Sequence, residues 1–514
     1  MIDPRTFWEA VEWRAATTPD ALLAVDDTGR ELTFAGYRDW CERAAAGLQK
    51  EYGVGPEVRV SWQLPTWFES LVLMGALSRL SAVQNPIIPI YRKREVGFVV
   101  AQTQARLLVV PSQWRGFDYL AMANEIAGEV DGCEVLVCDQ QLPEADPADL
   151  PPVPAVAPYP DHYPVRWIYY TSGTTADPKG ALHTDWSILA QSRHMWTALE
   201  LREGDVFPLI FPFTHIGGSA LLLSNIVCGS QLCVTDTFDP PVTTRWLSEL
   251  GMTVGGSGTA FFLAFLAEQR KQPDTPLFPN LRLCTGGGAA KPVGLHEEVR
   301  DELGGVGIIS SYGLTECPII TFCRIGDPDS ELNSTEGRVN PGTNVRIVTT
   351  DGRLAGVGEE GEIRVNGPSM CRGYLDTSLN ADAFDEDGFF RTGDLGTIDE
   401  LGFVSITGRL KDIIIRKGEN ISAKEIEDLL YTHPKVADVA VIGLPDPASG
   451  ERCCAVVVPA DPADPLGFVE MQEHCRAAGL MTQKIPEQLE HVDALPRNPA
   501  GKVIKFELRD RFGA

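Results

Sequence analysis

An apolar strand running unbroken into a loop of hydroxyls and glycine constrains this chain more than any other feature. Val165-Arg-Trp-Ile-Tyr-Tyr170 is rich in aromatic and β-branched residues, as a buried strand is. Thr171-Ser-Gly-Thr-Thr-Ala-Asp-Pro-Lys-Gly180 follows directly. Glycine lets backbone N–H groups approach an oxyanion, hydroxyls add donors, and lysine adds a point charge, so the segment suits a polyphosphate. The Walker A spacing is absent. A flexible linker would not follow a strand like Trp167–Tyr170 and close on Pro-Lys-Gly.

The flanking sequence supplies an α/β frame. Trp40, Ala44, Ala45 and Leu48 recur at helical spacing between Tyr37 and Leu48. A second helix is expected from Trp67 to Leu80, with Leu71, Leu73, Met74, Leu77 and Leu80 apolar. Short β-rich runs, Leu107–Pro111 and Glu134–Cys138, alternate with these helices, the order of a layered α/β domain. From Leu142 to Pro164 the chain is too proline-rich for a helix or central strand and reads as a surface connection.

The character changes near Gly408. A strand Asp412–Arg416, a turn Lys417–Asn420 and a helix opened by the capping box Ser422-Ala-Lys-Glu425 are expected. Ile426, Leu429 and Leu430 give that helix its buried stripe, and His433-Pro434 ends it. Strands Ala437–Leu444 and Arg452–Val458 follow. With 514 residues, two or more domains are the default. The reading is an α/β chain: a large N-terminal domain of several subdomains, 1–408, and a small mobile α+β C-terminal domain, 409–514.

Composition narrows the function. Lysine and arginine number 44 against 71 acidic residues, a net charge of −27, which disfavours nucleic acid or anionic membrane binding over a broad face. One basic cleft for a small polyanion stays allowed. No apolar run reaches the ~18 residues of a spanning helix, and Met1-Ile-Asp-Pro-Arg5 is no secretory signal. The 12 cysteines form no Cys-x-x-Cys pair, which reads as reduced thiols in a cytoplasmic enzyme. A homo-oligomer is left open.

Four later segments join the loop. Ser310-Ser-Tyr-Gly-Leu-Thr-Glu316 gathers an aromatic ring, hydroxyls and a carboxylate, able to stack a base, touch a phosphate and hold Mg²⁺. Phe390-Arg-Thr-Gly-Asp-Leu395 offers Asp394 as a clamp for a ribose diol. Gly408-Arg-Leu-Lys-Asp412 sits on the domain boundary, and Pro496-Arg-Asn-Pro-Ala-Gly-Lys502 places a lysine on a glycine-flanked loop. Gly356-Val-Gly-Glu-Glu-Gly361 fits a dinucleotide fingerprint only literally. It precedes a strand and carries two glutamates, so it reads as a turn.

Taken together, Thr171–Gly180, Tyr312–Glu316, Arg391–Asp394, Gly408–Asp412 and Gly501-Lys502 resemble the core motifs of adenylate-forming enzymes, the superfamily of acyl-CoA synthetases, peptide-synthetase adenylation domains and firefly luciferase. The resemblance spans essentially the whole chain and is most like an acyl-CoA ligase. It implies a carboxylate attacking the α-phosphate of Mg-ATP, then a thiol such as that of CoA displacing AMP. By motif, Lys502 would bridge carboxylate and phosphate. Thr171, Ser172, Gly173, Thr174, Thr175 and Lys179 would hold the β- and γ-phosphates. Thr315 would meet the α-phosphate and Glu316 the Mg²⁺. Tyr312, with Gly313 beside it, and Gly286, Gly287, Gly288 and Ala289 would sandwich adenine, while Asp394 and Arg409 hold the ribose. Lys411 would be the hinge whose rotation brings Lys417-Gly418 to the pantetheine channel. His215, in Phe211-Pro-Phe-Thr-His-Ile-Gly-Gly218, falls beside the acyl pocket and thiol tunnel.

The acid is less legible. Gly255-Gly-Ser-Gly-Thr-Ala260, before a helix Phe261–Gln269, is small enough to leave room for a bulky or cyclic acyl group. Asn85-Pro-Ile-Ile-Pro-Ile-Tyr-Arg-Lys-Arg-Glu95 resembles medium-chain and alicyclic acyl-CoA ligases, so an aliphatic or alicyclic acid is expected. No acidic residue stands in the Gly255–Ala260 run to recognise an amino group. A carrier-protein thiol as acceptor, luciferase-like oxidation and a catalytically silent binding protein are the alternatives. Lys179, Glu316, Asp394 and Lys502, all present, argue against silence.

Overall fold

The computed structural model describes residues 2–513 apart from 172–177, 289, 290, 293, 417, 418, 448 and 498–501, and the backbone alone of Glu419 and Asn420. Its core begins with a six-stranded sheet in the order Lys179–Thr184, Val165–Thr171, Val83–Pro86, Arg59–Trp62, Leu107–Val110, Glu134–Val137. All neighbours are parallel except the first pair, a hairpin closing on the phosphate-loop segment. Residues 172–177 of that loop lie outside the described residues. The expected helices appear as Phe34–Tyr52 and Phe68–Arg79.

Two helices are buried almost all round. Phe68–Arg79 exposes only part of Ser78, and Ile216–Cys228 only part of Gly217. Helices with no polar face belong inside a layered core, and both join the largest apolar cluster of the molecule. Burying a single Leu or Phe side chain contributes roughly 1.5–3 kcal/mol, so these two helices supply much of the stability of the frame.

A five-stranded sheet follows in the order Val254–Gly255, Leu283–Gly287, Ile308–Leu314, Cys317–Phe322, Arg338–Val339. Beside it stands an antiparallel sheet, Asn344–Val348, Gly361–Asn366, Phe390–Ile398, Val404–Arg409. Gly361 opens a strand there, as expected for a turn in place of a dinucleotide loop. Between 142 and 164 only two short 3₁₀ turns form, Pro147–Asp149 and Pro160–His162.

The small C-terminal domain has its own sheet and its own apolar clusters. Three details differ from expectation. Leu410–Asp412 form a 3₁₀ turn, so the strand begins at Ile413. Glu419 and Asn420 belong to the next strand, Glu419–Ser422, instead of a turn. Ser422 does cap the helix Ala423–Tyr431, its Oγ accepting from the Glu425 N–H at 3.4 Å. The Glu425 carboxylate, however, is drawn to Lys484 Nζ at 2.6 Å, because an ion pair outcompetes a bond to a neutral N–H. Among the described residues no helix is long and apolar enough to cross a membrane.

Candidate active site

The candidate residues converge where the two central sheets meet the C-terminal domain. Asp394 and Arg409 are register partners on adjacent antiparallel strands, a position that places side chains about 5 Å apart. Arg409 Nε lies 2.7 Å from Asp394 Oδ1. Tyr312, on the neighbouring sheet, donates its hydroxyl to Asp394 Oδ2 at 2.8 Å. Asp394 is 3% exposed. Both its oxygens are thus engaged by the protein, and each keeps a further lone pair for a ligand hydroxyl.

Thr315 and Glu316 form the turn between strands Ile308–Leu314 and Cys317–Phe322. Three contacts hold that turn. His183 Nε2 lies 2.8 Å from the Thr315 carbonyl, and since a carbonyl can only accept, that nitrogen carries the proton. Burial pushes His183 down to about 4, so it is neutral. The Cys371 N–H donates to the Glu316 carbonyl at 2.7 Å. The Tyr374 hydroxyl donates to Glu316 Oε1. Burial raises the Glu316 carboxyl, while the Tyr374 hydrogen bond and then the Lys179 and Lys502 charges hold it down.

Tyr374 is placed by backbone pairing. Leu182 N–H donates to Gly373 at 2.9 Å and Leu375 N–H to Gly180 at 2.8 Å, stitching 373–375 to the strand that starts at Lys179. The Lys179 ammonium lies 5.4 Å from the Tyr374 ring centroid, within cation–π range. One tyrosine therefore touches both the carboxylate and the loop lysine.

Lys502 belongs to the same cluster. Burial and then the Arg409 and Lys411 cations push it down to about 8, against the pull of Asp394 and Glu316. His215 is pushed down to about 4, by burial first and then by Lys502. Its Nδ1 accepts from the Gly217 N–H at 3.1 Å, capping the buried helix Ile216–Cys228. His215 is therefore a structural cap that also reaches the site. With Thr214, Thr315, Tyr169 and Tyr170 it lines a pocket that also takes in Pro86, Ile87, Ile88 and Tyr91.

Not every expected residue can be placed. Ser172, Gly173, Thr174, Thr175, Ala289 and Gly418 lie outside the described residues. Thr171 ends its strand opposite Lys179. Gly287 and Gly288 are exposed at the end of strand Leu283–Gly287. A side chain at Gly313 would strike the Ile319 N–H at 2.3 Å, so only glycine admits that hairpin. Lys411 sits in the turn Leu410–Asp412 between the two domains' sheets. Among the described residues no cluster of three or more His, Cys, Asp or Glu could cage a metal. One carboxylate, Glu316, fits Mg²⁺, which takes few protein ligands and completes its shell with phosphates and water.

Several contributors escape the motif reading: His183, Tyr374, Lys291 and Glu336. The Gly255–Ala260 run does reach a cavity, through Gly258 and Thr259. That cavity holds an acidic residue after all, Glu336, delivered by a distant turn instead of the expected segments.

Comparison with known proteins agrees with this arrangement. Residues 11–375 match the family described as AMP-binding enzyme, and 425–502 match the AMP-binding enzyme C-terminal domain. The chain is 30% identical to the medium-chain fatty-acid–CoA ligase of Escherichia coli (strain K12), over 98% of this chain and 89% of that one. It is 32% identical to the 3-[(3aS,4S,7aS)-7a-methyl-1,5-dioxo-octahydro-1H-inden-4-yl]propanoyl:CoA ligase of Rhodococcus jostii (strain RHA1), covering 97% of both. The ATP-bound crystal structure of MatB from Rhodopseudomonas palustris superposes with a TM-score of 0.89 at 26% identity, over 99% of each chain. With both domains matched, this chain belongs to the AMP-binding enzyme family, the adenylate-forming ligases.

Proposed function

We propose that this protein joins a carboxylic acid to CoA in two steps, forming an acyl-adenylate and pyrophosphate from ATP, then a thioester and AMP. The observation that carries the reading is the meeting of Lys502 with Glu316 and the Asp394–Arg409 pair, groups drawn from three separate stretches of chain. The first step brings a carboxylate against a phosphate. Positive charge must neutralise both and hold them in line. Lys502 is still mostly charged at neutral pH and only partly exposed, so its charge acts more strongly than in open water.

The remaining roles follow from position. Asp394 and Arg409 hold the ribose, with Tyr312 and the 286–289 run about the adenine. Lys179 and the 171–175 loop hold the outer phosphates, and Thr315 meets the α-phosphate. Glu316, fixed by Tyr374, would hold Mg²⁺, which screens phosphate charge when bound. The cavity beside Thr214, His215 and Thr315 gives the thiol its route. Neutral His215, with Nδ1 already used, offers it at most one ring nitrogen, Nε2. Residues 409–514 turn about Lys411 between steps, withdrawing Lys502 and bringing Gly418 forward. Twelve unpaired thiols suit a cytoplasmic setting.

The acid is aliphatic or alicyclic on this reading, supported by the Escherichia coli and Rhodococcus relatives. A carrier-protein thiol as acceptor is the second reading. The salicyl-AMP ligase / salicyl-S-ArCP synthetase of Mycobacterium tuberculosis (strain ATCC 25618 / H37Rv), 31% identical over 99% of this chain and 91% of that one, favours it. Acid-dependent exchange of labelled pyrophosphate into ATP tests the first step for either acceptor. Exchange without any added acid, or none with any acid, contradicts the reading.

A further inference from the structure

The Thr315–Glu316 turn is pinned at two successive peptide planes. The Thr315 carbonyl accepts from His183 Nε2 at 2.8 Å, and the Glu316 carbonyl accepts from the Cys371 N–H at 2.7 Å. A residue has only two soft backbone dihedrals, one toward each flanking plane. Holding both planes therefore restrains Glu316 φ and ψ together, and with them the direction in which its side chain leaves the backbone. Tyr374 then holds one carboxylate oxygen.

His183 reaches this turn from a strand 132 positions away, Lys179–Thr184, which begins with the loop lysine. Its ring is fully buried and is held on the other side too. Nδ1 lies 3.0 Å from Ser187 Oγ, and the Tyr169 ring meets the imidazole edge-on at 6.4 Å. Because Nε2 carries the proton, Nδ1 accepts, and the Ser187 hydroxyl shares its proton between that nitrogen and the Thr184 carbonyl at 2.9 Å. Ser187 Oγ also accepts from the Thr184 N–H at 3.1 Å, so it cannot drift from the ring. The same strand reaches Glu316 a second way. Arg372 N–H donates to Leu182 O at 2.7 Å and Leu182 N–H to Gly373 O at 2.9 Å, which sets Cys371 and Tyr374 in place.

We propose that His183 is a positioning residue for metal binding: its bond to the Thr315 carbonyl aims Glu316 at Mg²⁺, in register with Lys179 on the same strand. The inference rests on the ligase reading and adds a residue to that site. Buried and neutral, the ring brings no charge of its own, so its effect travels through geometry alone. Without the Nε2 donor the Thr315–Glu316 plane is released to turn. The carboxylate then loses its direction although Tyr374 still holds one oxygen.

The test is calorimetric titration of ATP into the full-length protein, with no acid present, in excess Mg²⁺ and again in EDTA. The quantity read is the gain in ATP affinity that Mg²⁺ provides. Glutamine places its amide nitrogen near the position of Nε2, whereas asparagine's falls near Nδ1 and cannot reach Thr315. His183→Asn is expected to cut the Mg²⁺-dependent gain by about three- to tenfold, the range of one lost hydrogen bond, and His183→Gln to keep it within about twofold. ATP affinity in EDTA should stay nearly level in both. Ser187→Ala, which leaves the ring but removes its Nδ1 partner, should lower the gain less, and covers an asparagine variant that fails to fold. Asparagine and glutamine variants that behave alike, intact or impaired, overturn the proposal. So does an affinity loss of equal size with and without Mg²⁺, the mark of a merely structural role. Wild-type ATP binding that Mg²⁺ does not strengthen overturns it while leaving the ligase standing, whereas a wild-type protein that binds no ATP removes the ligase reading first.

Discussion

Two charged clusters beside the nucleotide motifs are built on opposite terms. In the first each charge already has a protein partner from a remote part of the chain: Asp394 has Arg409 and Tyr312, and Glu316 has Tyr374. In the second, in the cavity beside Ser310, Lys291 keeps a proton to spare and the Glu336 carboxylate meets no donor among the described residues. Pre-paired groups cost little reorganisation when the same nucleotide returns every cycle. Unpaired groups fix no geometry of their own and depend on water or a ligand for partners.

The largest effect should come from Lys502, the cation beside Asp394 and Glu316. Lys502→Ala is expected to cut acid activation by about 10³-fold, on the scale of losing a transition-state charge donor. Thioester formation from supplied acyl-adenylate should stay within a few-fold if Lys502 acts in the first step, as proposed. Rapid-quench assays of each half-reaction separate the two, and equal losses would erase the division of labour. Lys411→Pro addresses the turn between the domains from the other side. Fixing that backbone should spare activation and block thioester release, as a stiffened hinge would. Undiminished thioester output would show that the step needs no rotation there.

Tyr374→Phe sharpens the claim of pre-pairing. It removes the hydrogen bond to Glu316 but keeps the ring beside Lys179. Bonds to a charged group are worth ~1.5–3 kcal/mol, so an increase of about tenfold or more in the Mg²⁺ concentration giving half-maximal rate is expected. Tyr374→Leu, which also removes the ring, should add a smaller rise in the KM for ATP. A merely structural role would lower stability and leave the Mg²⁺ dependence in place.

The smallest effect is a pH profile. Lys502 is charged below its pKa of about 8 and neutral above it. Because kcat/KM reports the free enzyme, acid activation should be level near pH 7 and fall by up to about tenfold per unit as pH rises beyond 8. His215, pushed down to about 4, contributes no charge change in that window. Lys502→Arg should move the break upward. A break that stays at 8 in that variant belongs to another group.

Much of this was legible in sequence because the chemistry is local. Thr171–Gly180, Tyr312–Glu316 and Asp394 each carry their own signature of glycine, hydroxyl and carboxylate. The burial of Phe68–Arg79 follows from its unbroken apolar face. Tyr374 and His183 could not be read this way, because their roles arise from the register of 371–375 against Lys179–Thr184 and from a fold-back onto Thr315. Glu336 was hidden for the same reason: it enters the cavity from beyond the short helix Asp329–Ser334, far from the glycine run that marked the pocket. His215 showed the converse, a motif residue whose first task is to cap a helix.

The most direct measurement incubates the protein with Mg-ATP, CoA and a pooled set of carboxylic acids, then reads CoA thioesters by mass. The account predicts one dominant thioester, formed with AMP and pyrophosphate in equal amounts and lost in Lys502→Ala. AMP and pyrophosphate released without any thioester would move the acceptor to a carrier protein. ATP left intact with every acid in the pool would contradict the account.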